Sequence, residues 1–361
     1  MSSTVVFLGA GATKACNGPL TDEILPGIYK RAKVSGTIWA SQLVKFLEQE
    51  FHLDAGSPKA QYPSLPLLLS LLDTALDRRQ AFTPDWSLSD VAELRRSIEF
   101  GIYDLLEELL QKGPTNNHWA LLNRLYPALP EAPVVISMNY DLIADAAMMF
   151  LSEYRTAAGD VIVGRFPDYR CDVSTSSYRD NPQRFGTLLK LHGSLNWLCC
   201  STCARLELGR SSGRLYIKIL DSMIGPDLQR AFTLDGDPCP VCNTILRPLM
   251  VAPSHLKIYR NPHLAQVWYE AERALRAATR VVFIGYSLPD DDVEVIYLLK
   301  RTLSRAAPPQ ITVVDYDAVD PNRPLGDHAA GRRFRSLFGN GIDWHACGLD
   351  AWLDKLTRQR D

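Results

Sequence analysis

Five short apolar runs, each ending in small or polar residues, most constrain what this chain can fold into. The runs show none of the alternation of a strand with one solvated face, so both faces of each strand should be covered. Helical segments separate several of them, which is the pattern of a doubly wound parallel α/β sheet. The runs are TVVFLGAG (4–11), APVVISMNYD (132–141), GTLLKLHGS (186–194), RVVFIGYSLPDDD (280–292) and QITVVDYD (310–317).

The turn after the first run combines Gly9, Ala10 and Gly11. Ligands of such sheets bind beyond the carboxyl ends of the strands, and glycines there let the backbone approach a phosphate. A tight structural turn would have the same residues, so this alternative stays open. Lys14 stands where a dehydrogenase fingerprint needs its third glycine, and Thr13 stands where a Walker loop needs glycine. The turn therefore suits a dinucleotide without indicating hydride transfer or triphosphate hydrolysis.

Charge and hydropathy exclude several classes of function. The 361 residues carry 39 basic and 41 acidic side chains, a net charge of -2, so we expect no direct nucleic-acid binding. No apolar stretch approaches the roughly 18–20 residues that cross a bilayer, and we expect a cytoplasmic protein without a membrane partner. In that compartment the eight cysteines should be reduced or metal-bound.

Residues 36–125 interrupt the α/β pattern. Their sequence turns helical, in segments such as TIWASQLVKFLEQEFHL and LRRSIEFGIYDLLEELLQK, with proline-rich links between them. We interpret this region as an α-helical insertion.

Two cysteine pairs predict a small zinc-binding module over 196–248. CCSTC (199–203) and CPVC (239–242) each contain a C-x-x-C knuckle, and four thiolates can surround Zn²⁺ in a closed structural site. The predicted ligands are Cys200, Cys203, Cys239 and Cys242, with Cys199 as an alternative to Cys200. The stretch 209–238 between the pairs should form an inserted hairpin. An empty module with reactive thiols is the competing interpretation.

The motifs of the chain occur in a distinctive order: GAGAT (9–13), MNYD (138–141), LHGS (191–194), the two cysteine pairs and GYSLPDDD (285–292). In this order they resemble the sirtuin family, and most closely the bacterial sirtuin-like proteins that destroy NAD in antiphage defence. The resemblance covers most of the chain but not the helical insertion. It implies a single Rossmann-like, sirtuin-type domain over 1–361 with NAD as its substrate.

The resemblance also assigns residues that bind the nucleotide. It implies that the glycine turn holds the pyrophosphate of NAD with Thr13 close by, that a second loop contributes Gly285 and Ser287, and that Asp315 is a candidate partner for the adenosine ribose. The residues of the glycine turn are Gly9, Ala10 and Gly11.

Three further residues match the family's catalytic positions: Asn139 and Asp141 beside the nicotinamide ribose, and His192 as the catalytic histidine. A carboxamide can orient water without titrating, and a histidine with an ordinary pKa near ~6.5 can accept a proton at neutral pH. Asp141 could favour the developing positive charge or bind the nicotinamide amide. Alternatively, Asn139 caps a turn, Asp141 caps the following helix and His192 is a core histidine. The three carboxylates of SLPDDD (287–292) are explained by a helix start.

NAD hydrolysis to ADP-ribose and nicotinamide is the favoured function. Deacylating sirtuins place a Phe-Gly-Glu stretch after the second cysteine pair, which this chain lacks, whereas WYEAERAL (268–275) resembles the NAD-destroying branch. Protein deacylation or ADP-ribosyl transfer is the enzymatic alternative, and a non-catalytic NAD or ADP-ribose sensor is the other. In the resembling family, control comes from homo-oligomers or from a partner such as a ring-forming ATPase translocase or an Argonaute. The helical insertion is the candidate docking surface.

Overall fold

A computed structural model describes residues 3–35, 38–54, 61–111, 117–128, 132–151, 154–155, 161–162, 166–180, 184–208, 238–254 and 261–358. Its strands are β1 (Thr4–Leu8), β2 (Val134–Ser137), β3 (Tyr154–Arg155), β4 (Val161–Ile162), β5 (Thr187–Lys190), β6 (Gly193–Cys200), β7 (Leu206–Leu208), β8 (Leu246–Met250), β9 (Arg280–Ile284), β10 (Gln310–Val314) and β11 (Ile342–His345).

The main sheet has six strands in the order β11-β10-β9-β1-β2-β5, and every neighbouring pair in it is parallel. Strand β1 lies in the middle of the sheet. Strands β2 and β5 follow on one side of it, and β9, β10 and β11 follow on the other. The strand order thus reverses between β1 and β9, which is where doubly wound sheets bind their ligands. The predicted doubly wound parallel sheet is confirmed.

Helices cover this sheet and build a second layer beside it. They are α1 (Ala10–Lys14), α2 (Thr21–Ser35), α3 (Ile38–Glu50), α4 (Leu65–Arg78), α5 (Leu88–Gln111), α6 (Asn117–Ala128), α7 (Ile143–Leu151), α8 (Ser176–Arg179), α9 (Pro262–Ala277), α10 (Val293–Leu303), α11 (Ala329–Phe338) and α12 (Gly348–Arg358). None of the helices within the described ranges is long and apolar enough to cross a bilayer.

Local signals fix several helix ends. Asn261 caps α9, since its side-chain oxygen accepts hydrogen bonds from the backbone N–H groups of His263 and Leu264, and Pro262 follows it directly. Ser64 caps α4 in the same way through the N–H of Leu67. These caps satisfy backbone donors that a helix start leaves without intrahelical partners.

The helices of 36–125 lie in two places. Helices α3, α4 and α5 share a hydrophobic core with α2 and with apolar side chains of β6 and β8. Helix α6 instead packs against α7, and its Leu121 and Leu122 belong to the core of the main sheet. The α2–α5 layer therefore covers the small sheet, at the side of the molecule where β5 ends.

A second, antiparallel sheet has the order β7-β6-β8. Strand β6 begins only three residues after β5 ends, so residues 191–192 form the corner between the two sheets. Gly193 turns that corner with φ +78°, and a Cβ there would lie 2.0 Å from the carbonyl oxygen of Leu249, so glycine is required. The hairpin predicted over 209–238 lies, apart from Pro238, outside the described residues.

Candidate functional site

The carboxyl ends of five neighbouring strands lie in one row. Leu8 pairs with Ser137 on one side and Ile284 on the other, Ser137 pairs with Lys190, and Ile284 pairs with Val314. The residues after these positions therefore emerge along one edge of the sheet. This edge contains every predicted catalytic and nucleotide-binding residue, because each of them follows one of these strands within a few positions.

The glycine turn packs directly against the loop after β9. The N–H of Gly11 donates to the carbonyl oxygen of Gly285 at 2.8 Å, and the N–H of Gly9 donates to Ile284 at 3.0 Å. A Cβ on Gly9 would lie 2.5 Å from Cα of Tyr286, and one on Gly11 would lie 2.7 Å from Cα of Gly285. The close approach of the two loops thus requires both glycines, and their binding of a pyrophosphate stays a prediction.

Asn139 is held against the glycine turn. Its Nδ2 donates a hydrogen bond of 2.9 Å to the carbonyl oxygen of Gly9, across 130 positions of sequence. The backbone N–H of Asn139 donates to Oγ of Ser137 at 3.1 Å. The contact to Gly9 fixes the orientation of the amide, so Oδ1 accepts hydrogen bonds from water or hydroxyl groups and one N–H of Nδ2 remains a donor.

Asp141 is buried, and both of its carboxylate oxygens have partners within the protein. Oδ2 accepts a short hydrogen bond from the hydroxyl of Thr13, and Oδ1 accepts one of 2.9 Å from the N–H of Ile143 in the first turn of α7. The second contact is a helix cap, which is the alternative role that the sequence allows for Asp141. Asp141 therefore joins α1 to α7 at the edge of the sheet.

His192 lies in the corner between the two sheets and is 6% exposed. Its ring stacks on that of Tyr140 with 6.2 Å between centroids and 28° between planes. Its carbonyl oxygen accepts a hydrogen bond from the N–H of Val251, while the hydroxyl of Tyr140 donates to the carbonyl oxygen of Val251 at 2.6 Å. These contacts place the histidine beside the Asn139 turn and against the segment after β8.

In the loop after β9, the side chain of Asp292 does not have the helix-start role that the sequence predicted for it. This residue occupies the cap position of α10, but its side chain makes no capping hydrogen bond. It is buried instead, and its Oδ2 accepts a hydrogen bond of 3.0 Å from the hydroxyl of Tyr286. Ser287 is exposed, and its carbonyl oxygen accepts from Nε of Arg333 at 2.9 Å.

Asp315 follows β10 and has a largely buried side chain, 15% exposed. Burial raises the pKa of Asp315 above its ordinary value, while a hydrogen bond from the N–H of Tyr316 and the charges of His328 and Arg333 oppose that shift. Nδ1 of His328 lies 3.9 Å from Oδ2 of Asp315. Ser287 and Asp315 are assigned to the site by position alone, because they follow the carboxyl ends of β9 and β10.

Four cysteine thiols come together beyond β6 and β8. The sulfurs of Cys200, Cys203, Cys239 and Cys242 lie within 4.8 Å of one another, with individual separations of 3.4, 3.6 and 3.8 Å. A Zn²⁺ ion bonded tetrahedrally at about 2.3 Å sets its sulfurs about 3.8 Å apart, so the four thiols fit that ion. Bound there, zinc would crosslink the two knuckles.

The thiols of the cluster differ in pKa: despite a hydrogen bond from the backbone of Arg205, desolvation and hydrogen bonds with the neighbouring thiols raise the pKa of Cys203 to about 12. Hydrogen bonding to Thr244 lowers the pKa of Cys242 to about 6, so a thiolate is available at neutral pH. Cys199 points away from the cluster and has Nδ2 of Asn261 3.3 Å from its sulfur. The cluster that could hold the ion therefore contains Cys200 and not Cys199, and metal binding by Cys200 stays a prediction.

Two buried residues and one half-buried residue beside the site, Tyr140, carried no sequence prediction. Lys190 and Tyr140 flank the predicted residues, and His118 comes from α6. Burial lowers the pKa of His118, which keeps its imidazole neutral, and neither ring nitrogen has a hydrogen-bond partner within the described part of the chain. Two sequence signals could have indicated them: Tyr140 lies within the MNYD motif, and Lys190 precedes the LHGS motif.

No protein-family model and no curated protein sequence matches this chain. Among solved structures, a complex of a Sir2 homologue with NAD is similar at 13% identity and a TM-score of 0.47, covering 99% of this chain and 88% of the other. A Sir2 mutant with a p53 peptide and NAD has 13% identity, a TM-score of 0.46 and coverage of 99% and 93%. TM-scores below 0.5 at this identity leave the function to be inferred from the chain's own residues.

Proposed function

We propose that this protein hydrolyses NAD to ADP-ribose and nicotinamide. One observation carries the proposal: beside the point where the strand order reverses, the segments after β1, β2, β5 and β9 contact one another and bring a carboxamide, a carboxylate and a histidine to one edge of the sheet. The contacts are Asn139 to Gly9, Asp141 to Thr13 and Gly11 to Gly285, with His192 stacked on Tyr140. Separate strands that converge with such groups favour a site over incidental packing.

The reaction needs a water and a place for positive charge. As the bond between ribose C1′ and the nicotinamide nitrogen breaks, its electron pair leaves with neutral nicotinamide and the ribose becomes cationic. A water then bonds to C1′ and releases a proton. Oδ1 of Asn139 accepts a hydrogen bond from that water, because Nδ2 is fixed on Gly9. His192 takes the proton and passes it to solvent.

Asp141 acts in this scheme through its charge and its position. Both oxygens already accept hydrogen bonds from the protein, so the carboxylate is held in place before substrate binds. A fixed negative charge in a buried site favours a developing cation without reorganising during the reaction. Asp141 thus stabilises the cationic ribose electrostatically, and we assign no direct contact with nicotinamide to it.

The segment after β8 supports water as the acceptor. Its N–H at Val251 donates to His192, its carbonyl oxygen at Val251 accepts from Tyr140, and Oγ of Ser254 lies 3.2 Å from Oγ of Ser70 on α4. In deacylating sirtuins, the stretch after the second cysteine pair lies on a strand that lines the peptide groove. Here the N–H and C=O groups of Val251 and the hydroxyl of Ser254 have internal partners, which favours a small acceptor over a peptide.

The test combines NAD, an acetylated peptide and two variants. Purified protein should release nicotinamide and ADP-ribose from NAD without any peptide. Asn139→Ala should lower kcat by about a hundredfold or more, since it removes the group that orients water. Asn322→Ala, in an exposed loop, is the matched control and should retain full activity. Nicotinamide release that requires the peptide would identify a transferase, and NAD binding without cleavage would identify a sensor.

We further propose, on the resemblance stated above, that this activity depletes NAD in the cytoplasm during antiviral defence and is controlled by self-assembly or by a partner. The helical insertion (36–125) is the proposed docking surface, because its helices α3, α4 and α5 lie outside the core of the main sheet. Size-exclusion chromatography with activity assays, alone and with the product of the neighbouring gene, tests this control. A monomer that hydrolyses NAD constitutively would contradict it.

A further inference from the structure

Lys190 carries a fully buried charge behind the candidate site. It is the last residue of β5, and its side chain is 0% exposed. Nζ lies 2.9 Å from Oδ2 of Asp145 and 2.5 Å from the carbonyl oxygen of Asp141. Asp145 lies in the first turn of α7, is 3% exposed and accepts a second hydrogen bond of 2.6 Å from the hydroxyl of Tyr169.

Burial of this ion pair is not explained by stability. Removing an ammonium and a carboxylate from water costs several kcal/mol for each ion, and apolar side chains of similar volume often replace such a pair without loss of stability. The main sheet around Lys190 is otherwise apolar at its neighbours Leu188 and Leu189. A buried lysine in this place therefore calls for a role beyond packing.

The contacts of Lys190 join the two segments that carry the proposed catalytic groups. Its backbone precedes His192 by two positions, while its ammonium holds the carbonyl oxygen of Asp141, two positions after Asn139. Asp145 supplies the counter-ion from the helix that Asp141 caps. One side chain thus fixes the distance between the turn after β2 and the corner after β5.

We propose that Lys190 is a positioning residue that sets Asn139 and His192 at their working separation, with Asp145 holding its ammonium in place. This inference rests on the proposed NAD hydrolysis. Loss of the contact to Asp141 should loosen the turn after β2 relative to His192 while leaving the nucleotide-binding loops after β1 and β9 unchanged. It should therefore lower kcat and leave KM for NAD nearly constant.

The variant must remove both charges together. Lys190→Met alone would leave Asp145 buried and unpaired, which destabilises the fold by itself. The double variant Lys190→Met/Asp145→Asn removes both charges and keeps an amide for Tyr169, while Asp141 loses its donor. The matched control is Arg205→Met/Glu207→Gln at β7, where Nε of Arg205 lies 2.5 Å from Oε1 of Glu207 in a largely buried pair, and the glutamine keeps an amide for Thr175.

Two readouts decide the outcome: steady-state kinetics and amide hydrogen exchange by mass spectrometry. The Lys190 double variant should lose between about tenfold and a hundredfold in kcat, with KM within about twofold of wild type. Faster exchange should be confined to 138–145 and 191–193. The control should retain kcat and the exchange pattern at those segments.

If the Lys190 double variant shows unchanged kcat and unchanged exchange, the proposal is overturned. Faster exchange over every strand of the main sheet would also overturn it, because a general loosening of the sheet identifies an ion pair with a structural role only. Wild-type protein that releases no nicotinamide would refute NAD hydrolysis. The exchange comparison would in that case still decide whether Lys190 holds the two segments together.

Discussion

The hydrogen bond from Thr13 to Asp141 offers a direct energetic test of how the site is built. Both side chains are 3% exposed, and the hydroxyl donates to a carboxylate oxygen that lies 128 positions away in sequence. Thr13→Val replaces the hydroxyl by a methyl group of similar volume, so it removes the donor without opening a cavity. A hydrogen bond to a charged group contributes about 1.5–3 kcal/mol, and this is the expected loss in the free energy of unfolding.

Thr13→Ser is the matched control. It keeps the hydroxyl and removes only the methyl group, for an expected cost of about 1 kcal/mol. Urea unfolding followed by circular dichroism and tryptophan fluorescence should order the proteins as wild type, then serine, then valine. A valine variant as stable as the serine variant would show that the hydrogen bond does not hold α1 to the turn after β2, and would refute this account of Asp141.

Three further predictions follow from other parts of the molecule. Gly285→Ala should cost more than about 2 kcal/mol of unfolding free energy, because φ of Gly285 is +59° and a Cβ there would lie 2.2 Å from the backbone nitrogen of Ala12. The control Gly341→Ala has open space around it and should cost less than about 1 kcal/mol. Cys203→Ser should abolish stoichiometric zinc, which wild-type protein should hold at one ion per chain by elemental mass spectrometry. Burial raises the pKa of Asp315, so the free energy of unfolding should fall as pH rises from ~4 through that raised value, and Asp315→Asn should remove this slope in urea titrations.

The centre of the fold could be predicted because its strands are buried on both faces. Strands β1, β2, β5, β9 and β10 all lie within the predicted apolar runs. The sixth strand, β11, was missed because its sequence IDWH is polar and half-buried at the edge of the sheet. An edge strand with Asp343 and His345 lacks the continuous apolar signal of the inner strands.

The strand-end residues of the site could be predicted for a geometric reason. Parallel strands end at one edge, so polar residues that follow separate apolar runs emerge close together, as Asn139 does beside Gly9. The partners of these residues could not be predicted, because side-chain contacts such as Lys190 to Asp145 join segments 45 positions apart. The partner of Asp292 could not be predicted either, because its local sequence fits a helix cap whereas its side chain accepts a hydrogen bond from Tyr286.

The central claim is that one nicotinamide nucleotide lies along the carboxyl edge of the main sheet. A crystal structure of Asn139→Ala soaked with NAD at a concentration that saturates binding in solution tests it most directly. We predict the nicotinamide ribose between residue 139 and His192, with the pyrophosphate beside Gly9 and Gly11 and the adenosine ribose toward Asp315. NAD bound at another surface, or no binding to wild-type protein in solution, would contradict the claim.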